Sequence, residues 1–404
     1  MKILFLTTED STFWSHRLAL ARATREAGAE VVIMARWGEY CERLEREGFR
    51  VIPWKVSRRS LNPFRELYSF LQVLKVYHEE RPDLAHHVAL KPIAYGGSAA
   101  RLCQGIPAVN SVTGLGPVFI HSRPLMRALR YLLTTALRWV FGASNCHVVF
   151  QNHDDRNLLV SQRVVPEEKT AVVPGFGVDT ENFVPSPEPG GVPIVMLPAR
   201  MLWEKGIREF VEAAVGLRQR GVAARMVLVG APDPNNPGCI ARERLKEWED
   251  SGIIEWWGQC TNMPSILGQA QVVCLPSYRE GVPKVLLEAA ACARPIVTTD
   301  APGCSLAVRQ GENGFLVPVK DSEALATAII ALLGDKGLRR KMGAAGRARA
   351  VQEFSEQRVA RQMLDVYQFL LNGSGSSPYS QDFLGLGSYG EQKGREKAVP
   401  QQAR

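Results

Sequence analysis

No run of 18 uncharged apolar residues occurs in the 404-residue sequence, so nothing in it reads as a bilayer-spanning helix. No Cys-x-x-Cys pair occurs either. The eight cysteines are scattered at 41, 103, 146, 239, 260, 274, 292 and 304, which fits buried free thiols better than a zinc site or a disulfide framework. Zinc-finger spacing and RNP-type aromatic motifs are missing, so no nucleic-acid module is expected. Met1–Thr7 is apolar but too short for the core of a secretory signal, and Glu9 and Asp10 follow at once, so a cytoplasmic chain is expected. With 46% apolar and 22% charged residues, the composition excludes a mostly disordered or fibrous chain, and the length suits two or three domains.

A further absence is local. No acidic residue lies between Asp83 and Asp154, while Lys91, Arg101, Arg123, Arg127, Arg130 and Arg138 fall there. Residues 1–150 hold 20 Lys and Arg against 12 Asp and Glu, a surplus equal to the net charge of +8 of the whole chain. Either this is a solvated basic surface, or it meets an anionic partner such as lipid, pyrophosphate or nucleic acid. The long aliphatics between the basic residues favour lipid.

What is present alternates. Ile3–Leu6, Val31–Ala35, Asp83–His87, Ala108–Val112, His147–Phe150 and Ala171–Val173 read as strands, separated by helical stretches such as His16–Ala27, Glu39–Glu47 and Pro63–Glu80. In the last of these, Leu67, Phe70, Leu71, Leu74 and Tyr77 recur on one face. Pro185–Pro193 (PSPEPGGVP) breaks the pattern with four prolines and two glycines in nine residues, and reads as a hinge. The alternation then restarts from Ile194. The chain is thus expected to be α/β, with two doubly wound, Rossmann-like domains at 1–185 and 186–353 facing a cleft. An amphipathic helix over 354–371 and a Gly/Ser/Gln-rich disordered tail over 372–404 complete it.

Two segments at strand ends carry chemistry. Pro276–Pro302 places Glu280, Gly281 and Pro283 in a loop after a strand and Glu288 on the helix that follows. Carboxylates clamp sugar hydroxyls, and the N–H groups of Gly281 and Val282 at a helix start suit an anion. Read without a ligand, Glu280 is a helix-dipole acid and Glu288 faces solvent. Pro198–Gly206 (PARMLWEKG) sets Arg200 and Lys205 before another helix, where cations suit phosphate. Two exposed loop cations are the plainer alternative.

Together with VPGFGVDTENFVP (Val173–Pro185) and GENGFLVP (Gly311–Pro318), these segments resemble the retaining glycosyltransferases of family 4, which have the GT-B fold. The resemblance spans about residues 1–371. It implies a UDP-sugar donor and no cofactor. Arg200 and Lys205 would meet the diphosphate and Glu280 the sugar. Gly281 and Val282 would offer backbone N–H groups, Glu288 would hold the ribose, and the loop at Gly258 would frame the base. By this likeness Glu280, Arg200 and Lys205 carry the reaction. No Asp-x-Asp motif is present, and the resemblance implies a metal-independent reaction.

STFWSHRLAL (Ser11–Leu20), HHVALKPIAYGG (His86–Gly97) and NSVTGLG (Asn110–Gly116) resemble bacterial members that extend undecaprenyl-diphosphate-linked sugars for O-antigen, other lipopolysaccharide or capsule, or glycoprotein glycans. His16, Arg17 and Lys91 would then face the acceptor. For His16 and His87 a satisfied structural histidine is the alternative. Many members carry a histidine near the position of Thr113, which this chain lacks. Cys-Ala-Arg-Pro (Cys292–Pro295) and Gly-Cys-Ser-Leu (Gly303–Leu306) depart from the family pattern, the latter losing a carboxylate. A UDP-sugar 2-epimerase, or a degenerate nucleotide-sugar-binding scaffold at a membrane, are the other readings. Finally, Arg123–Gly142 (RPLMRALRYLLTTALRWVFG) reads as a helix. Its stripe of Leu125, Leu129, Leu132, Leu133, Ala136, Trp139 and Val140 either packs on the first sheet or lies on the inner face of the cell membrane, its arginines toward anionic lipid.

Overall fold

The computed structural model describes residues 1–57, 60, 62–103, 105–115, 124–234 and 236–372, with the backbone alone at 124–126 and 128. These residues form two parallel sheets. The first has the order β3-β2-β1-β4-β5-β6-β7. Its strands are β1 (Lys2–Glu9), β2 (Glu30–Arg36), β3 (Arg50–Pro53), β4 (Leu84–Val88), β5 (Ala108–Val112), β6 (Cys146–Phe150) and β7 (Thr170–Val172). Helices cover both faces, so the strands are apolar at successive positions rather than at alternate ones. Ile3 and Phe5 pack with Phe13, Val109 and Val149 on one side. Leu4 and Leu6 pack with Trp54 and Tyr77 on the other.

The first face is covered by α1 (Asp10–Glu26) and by the last helix. The second is covered by α3 (Pro63–Glu80), α4 (Leu90–Leu102) and α5 (Pro124–Phe141). Two short helices, α2 (Cys41–Arg46) and α6 (His153–Ser161), complete this half. Helix α1 begins earlier than the apolar spacing predicts. Asp10 opens it, its carboxylate accepting from the N–H of Ser11 and of Tyr40, both at 2.8 Å. β3, α4 and α6 are not among the elements that the sequence pattern predicts.

The second sheet has the order β10-β9-β8-β11-β12-β13. Its strands are β8 (Ile194–Pro198), β9 (Arg225–Val229), β10 (Glu255–Trp256), β11 (Val272–Leu275), β12 (Ile296–Thr299) and β13 (Gly314–Val317). Its helices are α7 (Ile207–Gln219), α8 (Arg242–Asp250), α9 (Met263–Gly268), α10 (Lys284–Ala291), α11 (Cys304–Ala307), α12 (Ser322–Gly334) and α13 (Lys336–Glu353). Val178 and Phe183 already belong to the core of this half, ahead of the Pro/Gly-rich stretch.

The chain crosses between the halves twice, side by side. Val178 N–H donates to Phe354 O at 2.8 Å, and Glu356 N–H donates to Val178 O at 3.1 Å. Gly177 is left-handed there (φ 77°), and a Cβ on it would lie 2.6 Å from Glu356 Cα. The last helix, α14 (Glu356–Asn372), then buries Val359, Met363, Val366 and Tyr367 in one cluster with Phe5 and Phe13 of the first half. The tail lies, from residue 373 on, outside the described residues, as do Arg123 and Gly116. All eight cysteines are free, five of them buried.

Two helices differ from their predicted faces. On α3, Tyr77, Val73 and Val76 are buried and Phe70 and Leu74 half-buried, but Leu67 and Leu71 stand exposed with Phe64 (82%) and Tyr68. On α5, Leu137, Val140 and Phe141 are buried, while Tyr131, Leu132 and Trp139 are exposed. The reason is shared. Each helix has an apolar arc wider than the strip its neighbours cover, so one flank is left over. Among the described residues no helix is long and apolar enough to cross a membrane.

Candidate active site

In a parallel sheet all strands end on one edge, and loops leaving that edge build the site. The edges of the two sheets face each other here. Asn152, following β6, donates to Gly281 O at 2.9 Å. Asp155 on α6 pairs with Arg279. Lys284 at the start of α10 donates to Ser15 O at 2.8 Å. Gly281 sits where nothing larger fits: a Cβ on it would lie 2.3 Å from Gln151 Oε1 and 2.7 Å from Thr113 O.

On the second sheet's edge, Lys205 and Glu280 form an ion pair, both side chains largely buried. Local backbone makes this possible. Gly206 is left-handed (φ 72°), and a Cβ there would meet Pro276 O at 2.1 Å, so only glycine lets the loop after β8 close against the loop after β11. Arg200 pairs with Asp233 at 2.8 Å and stays half exposed. Pro283 caps α10 in extended conformation, leaving the backbone of Gly281 and Val282 just before the helix. Glu288 lies one turn inside and is buried. Burial pushes its carboxyl above the usual range, opposed by Lys284 at 3.7 Å. Glu280 and Glu288 therefore each answer a different lysine. Gly258 is left-handed (φ 65°), and its carbonyl accepts from Gly230 N–H at 2.7 Å, so the loop after β10 is fixed to the loop after β9.

The first sheet's edge is different in kind. His16 lies edge-on to Phe176 with ring centroids 4.2 Å apart, and its Nδ1 is 2.5 Å from Ser15 Oγ. Burial, with Lys284 and Arg17 nearby, pulls its pKa down to about 4, so it is neutral at physiological pH. Arg17 is buried, lies 4.9 Å from the centre of the Phe176 ring, and has no carboxylate partner among the described residues. Burial lowers its pKa to about 10, which still leaves it charged at neutral pH. Lys91 is committed elsewhere: it pairs with Glu66 at 2.6 Å and donates to Ser57 O at 2.6 Å, joining α4 to α3. His86 and His87 are satisfied structural residues. His87 sits between Asn110 Oδ1 (2.7 Å) and Tyr77 OH (2.8 Å), and His86 between Tyr367 OH (2.6 Å) and Ser111 Oγ (2.7 Å).

Gln151, Asn152, Asp155 and Arg279 were missed in the sequence. Their only signal was position, since Gln151 directly follows a predicted strand and Arg279 directly precedes Glu280. A partner that far along the chain, as Asp155 is from Arg279, leaves no local pattern.

Such an edge, with paired cations, a glycine against a helix start and buried carboxylates, can hold an anion next to hydroxyls. Residues 2–146 match the family described as Glycosyl transferase 4-like, and residues 192–335 match Glycosyl transferases group 1. The chain is 28% identical over 380 residues to an N,N'-diacetylbacillosaminyl-diphospho-undecaprenol alpha-1,3-N-acetylgalactosaminyltransferase of Campylobacter jejuni, covering 91% of this chain and 98% of that one. It is 31% identical to an alpha-maltose-1-phosphate synthase of Mycobacterium tuberculosis, covering 68% of this chain and 76% of that one. The crystal structure of Anabaena HepE in complex with UDP and glucose superimposes with a TM-score of 0.72 at 20% identity, over 91% of this chain and 99% of the other.

Proposed function

The chain belongs to the glycosyltransferases, with a 4-like first half and a group 1 second half on the GT-B fold, and from that premise we propose that it moves a hexose or N-acetylhexosamine from a UDP-sugar to a lipid-linked saccharide, with retention, in bacterial surface polysaccharide or glycan assembly. The observation that carries the donor reading is the Lys205–Glu280 pair beside Gly281, at the edge facing the first sheet. Lys205 and Arg200 neutralise the diphosphate. Glu280 accepts from sugar hydroxyls, Glu288 from the ribose, and the backbone N–H groups of Gly281 and Val282 add fixed dipoles. The loop at Gly258 frames the base. Bond breaking between the sugar and the diphosphate leaves negative charge on the phosphate oxygen. That oxygen takes the proton of the acceptor hydroxyl attacking on the same face, so no protein nucleophile, metal or cofactor is called on. His16 and Arg17 line the acceptor side. What supports Arg17 is its lone buried charge, which a lipid-linked diphosphate would answer. Lys91 has the weaker claim, being held by Glu66.

An acceptor anchored in lipid needs the enzyme at the inner face of the membrane. The support for a peripheral contact is the leftover apolar flank of α5 (Tyr131, Leu132, Trp139), beside exposed Arg127 in a stretch without acids. Incubation with labelled UDP-sugars and a bacterial lipid extract tests the reading. Release of UDP with label in the lipid phase is the expected result. Interconversion of free UDP-N-acetylhexosamines points to an epimerase, and binding without turnover to a scaffold.

A further inference from the structure

Two neighbouring amides at the end of β6 are used very differently. Asn152 spends its side chain on the fold: Nδ2 donates to Gly281 O at 2.9 Å, and Oδ1 caps α6 by accepting from Asp155 N–H at 2.8 Å. Gln151 is 3% exposed, and neither its Oε1 nor its Nε2 has a hydrogen-bond partner among the described residues. Burying both ends of an amide unanswered is costly, so such a group is kept where something else answers it. It is also aimed. Its Oε1 points at Gly281, where an added Cβ would meet it at 2.3 Å and the carbonyl of Thr113 at 2.7 Å. Glu280, assigned to the donor's sugar, is the adjoining residue.

We propose that Gln151 contacts the transferred sugar of the donor, answering a hydrogen-bond donor and an acceptor side by side on that sugar. This rests on the donor site proposed above. The chemistry selects the ligand. An ionised phosphate only accepts, so it would satisfy Nε2 and leave Oε1 bare. Two vicinal hydroxyls, or an acetamido group, present a donor and an acceptor together and satisfy both ends. Gln151 thus reads the sugar from the first half of the molecule while Glu280 reads it from the second.

The test is calorimetry on the full chain with UDP, UDP-glucose and UDP-N-acetylgalactosamine, for wild type, Gln151→Met and Gln151→Ala. The quantity read is the affinity each UDP-sugar gains over UDP. In both variants UDP alone should bind within about twofold of wild type, while the sugar's gain falls about 10-fold, the scale of one or two neutral hydrogen bonds. A loss with both sugars assigns the contact to vicinal hydroxyls. A loss confined to UDP-N-acetylgalactosamine assigns it to the acetamido group. Thermal unfolding without ligand is the second readout. Gln151→Met removes an unanswered amide at similar volume and should melt no lower than wild type. Wild-type gains in Gln151→Met, or no gain for either sugar in the wild type, overturn the proposal while leaving the UDP site standing. Failure of wild type to bind UDP overturns the donor site and this proposal together.

Discussion

The second sheet's edge meets the cleft with ions already paired, Lys205 with Glu280 and Arg200 with Asp233. The first sheet's edge meets it with groups left over or held neutral among the described residues: Arg17 without a carboxylate, Gln151 without hydrogen bonds, and His16 uncharged. The contrast fits what the proposed function asks each edge to hold. A paired cation is stable in the empty site and can still turn to a diphosphate, because the incoming charge exceeds that of the carboxylate it displaces. An unpaired buried guanidinium is stable only through packing, here against Phe176. Histidine sharpens the contrast: all seven histidines lie between residues 16 and 153, and the second half has none.

The comparison breaks first, and hardest, at Glu280. Glu280→Gln should lower turnover at least ~10–100-fold, since one charge-assisted hydrogen bond of about 1.5–3 kcal/mol is lost. It should leave UDP binding intact or tighter, because Lys205 is freed for phosphate. Turnover at the wild-type rate would remove Glu280 from the site. Next comes Lys205→Ala, which should weaken UDP about 10–100-fold and uridine hardly at all. Arg200→Ala, at a half-exposed pair, should show the same selectivity with a loss under about 10-fold. Equal losses for uridine and UDP in titration calorimetry would show that neither cation serves the phosphates.

Acid sharpens the contrast between halves. Burial holds His16, His87 and His147 near pKa 4 and His86 well below its ordinary value. Unfolded histidine titrates near 6.5, so between about pH 6.5 and 4 the unfolded chain binds more protons than the native one. Stability of the first half is therefore full above about pH 6.5 and falls as pH drops, by roughly 1.4 kcal/mol per histidine per pH unit. Glu288 in the second half has the opposite sign, since burial raises its pKa and acid favours its native, protonated form. Hydrogen exchange at pH 7 and 5, corrected for intrinsic rates, should show protection lost first over residues 1–172. Uniform loss across both sheets would contradict this.

A separate effect concerns the outer face. Changing Arg123, Arg127 and Arg130 together to Glu should cut co-sedimentation with anionic vesicles at low salt, by about 5-fold per arginine at ~1 kcal/mol each. If wild type and variant pellet equally, α5 is not the membrane contact. The exposed Phe64, Leu67, Tyr68 and Leu71 of α3 are then the next residues to change.

Much of the candidate site was legible because the loops that build it leave strand ends, and a strand's end shows in the sequence as a β-branched run giving way to Gly, Pro or charge. PARMLWEKG and EGVPKVLLE were found that way, and both lie on the second sheet's edge. The faces of α3 and α5 were only half legible. Periodicity shows that an apolar arc exists, but its covered strip depends on where the neighbouring helices lie.

The sequence by itself determined the α/β alternation, the restart near residue 194 and the strand-end loops proposed to carry the chemistry, because propensity, periodicity and turn residues act over a few residues. Only the tertiary structure decided which groups meet. Lys205 finds Glu280 75 residues away, Asp155 finds Arg279 across 124, and α14 returns to lay Tyr367 against His86 across 281. Among the described residues Gln151 is left unanswered for the same reason. Whether a buried polar group has a partner depends on every chain segment packed around it, and no local pattern encodes that sum.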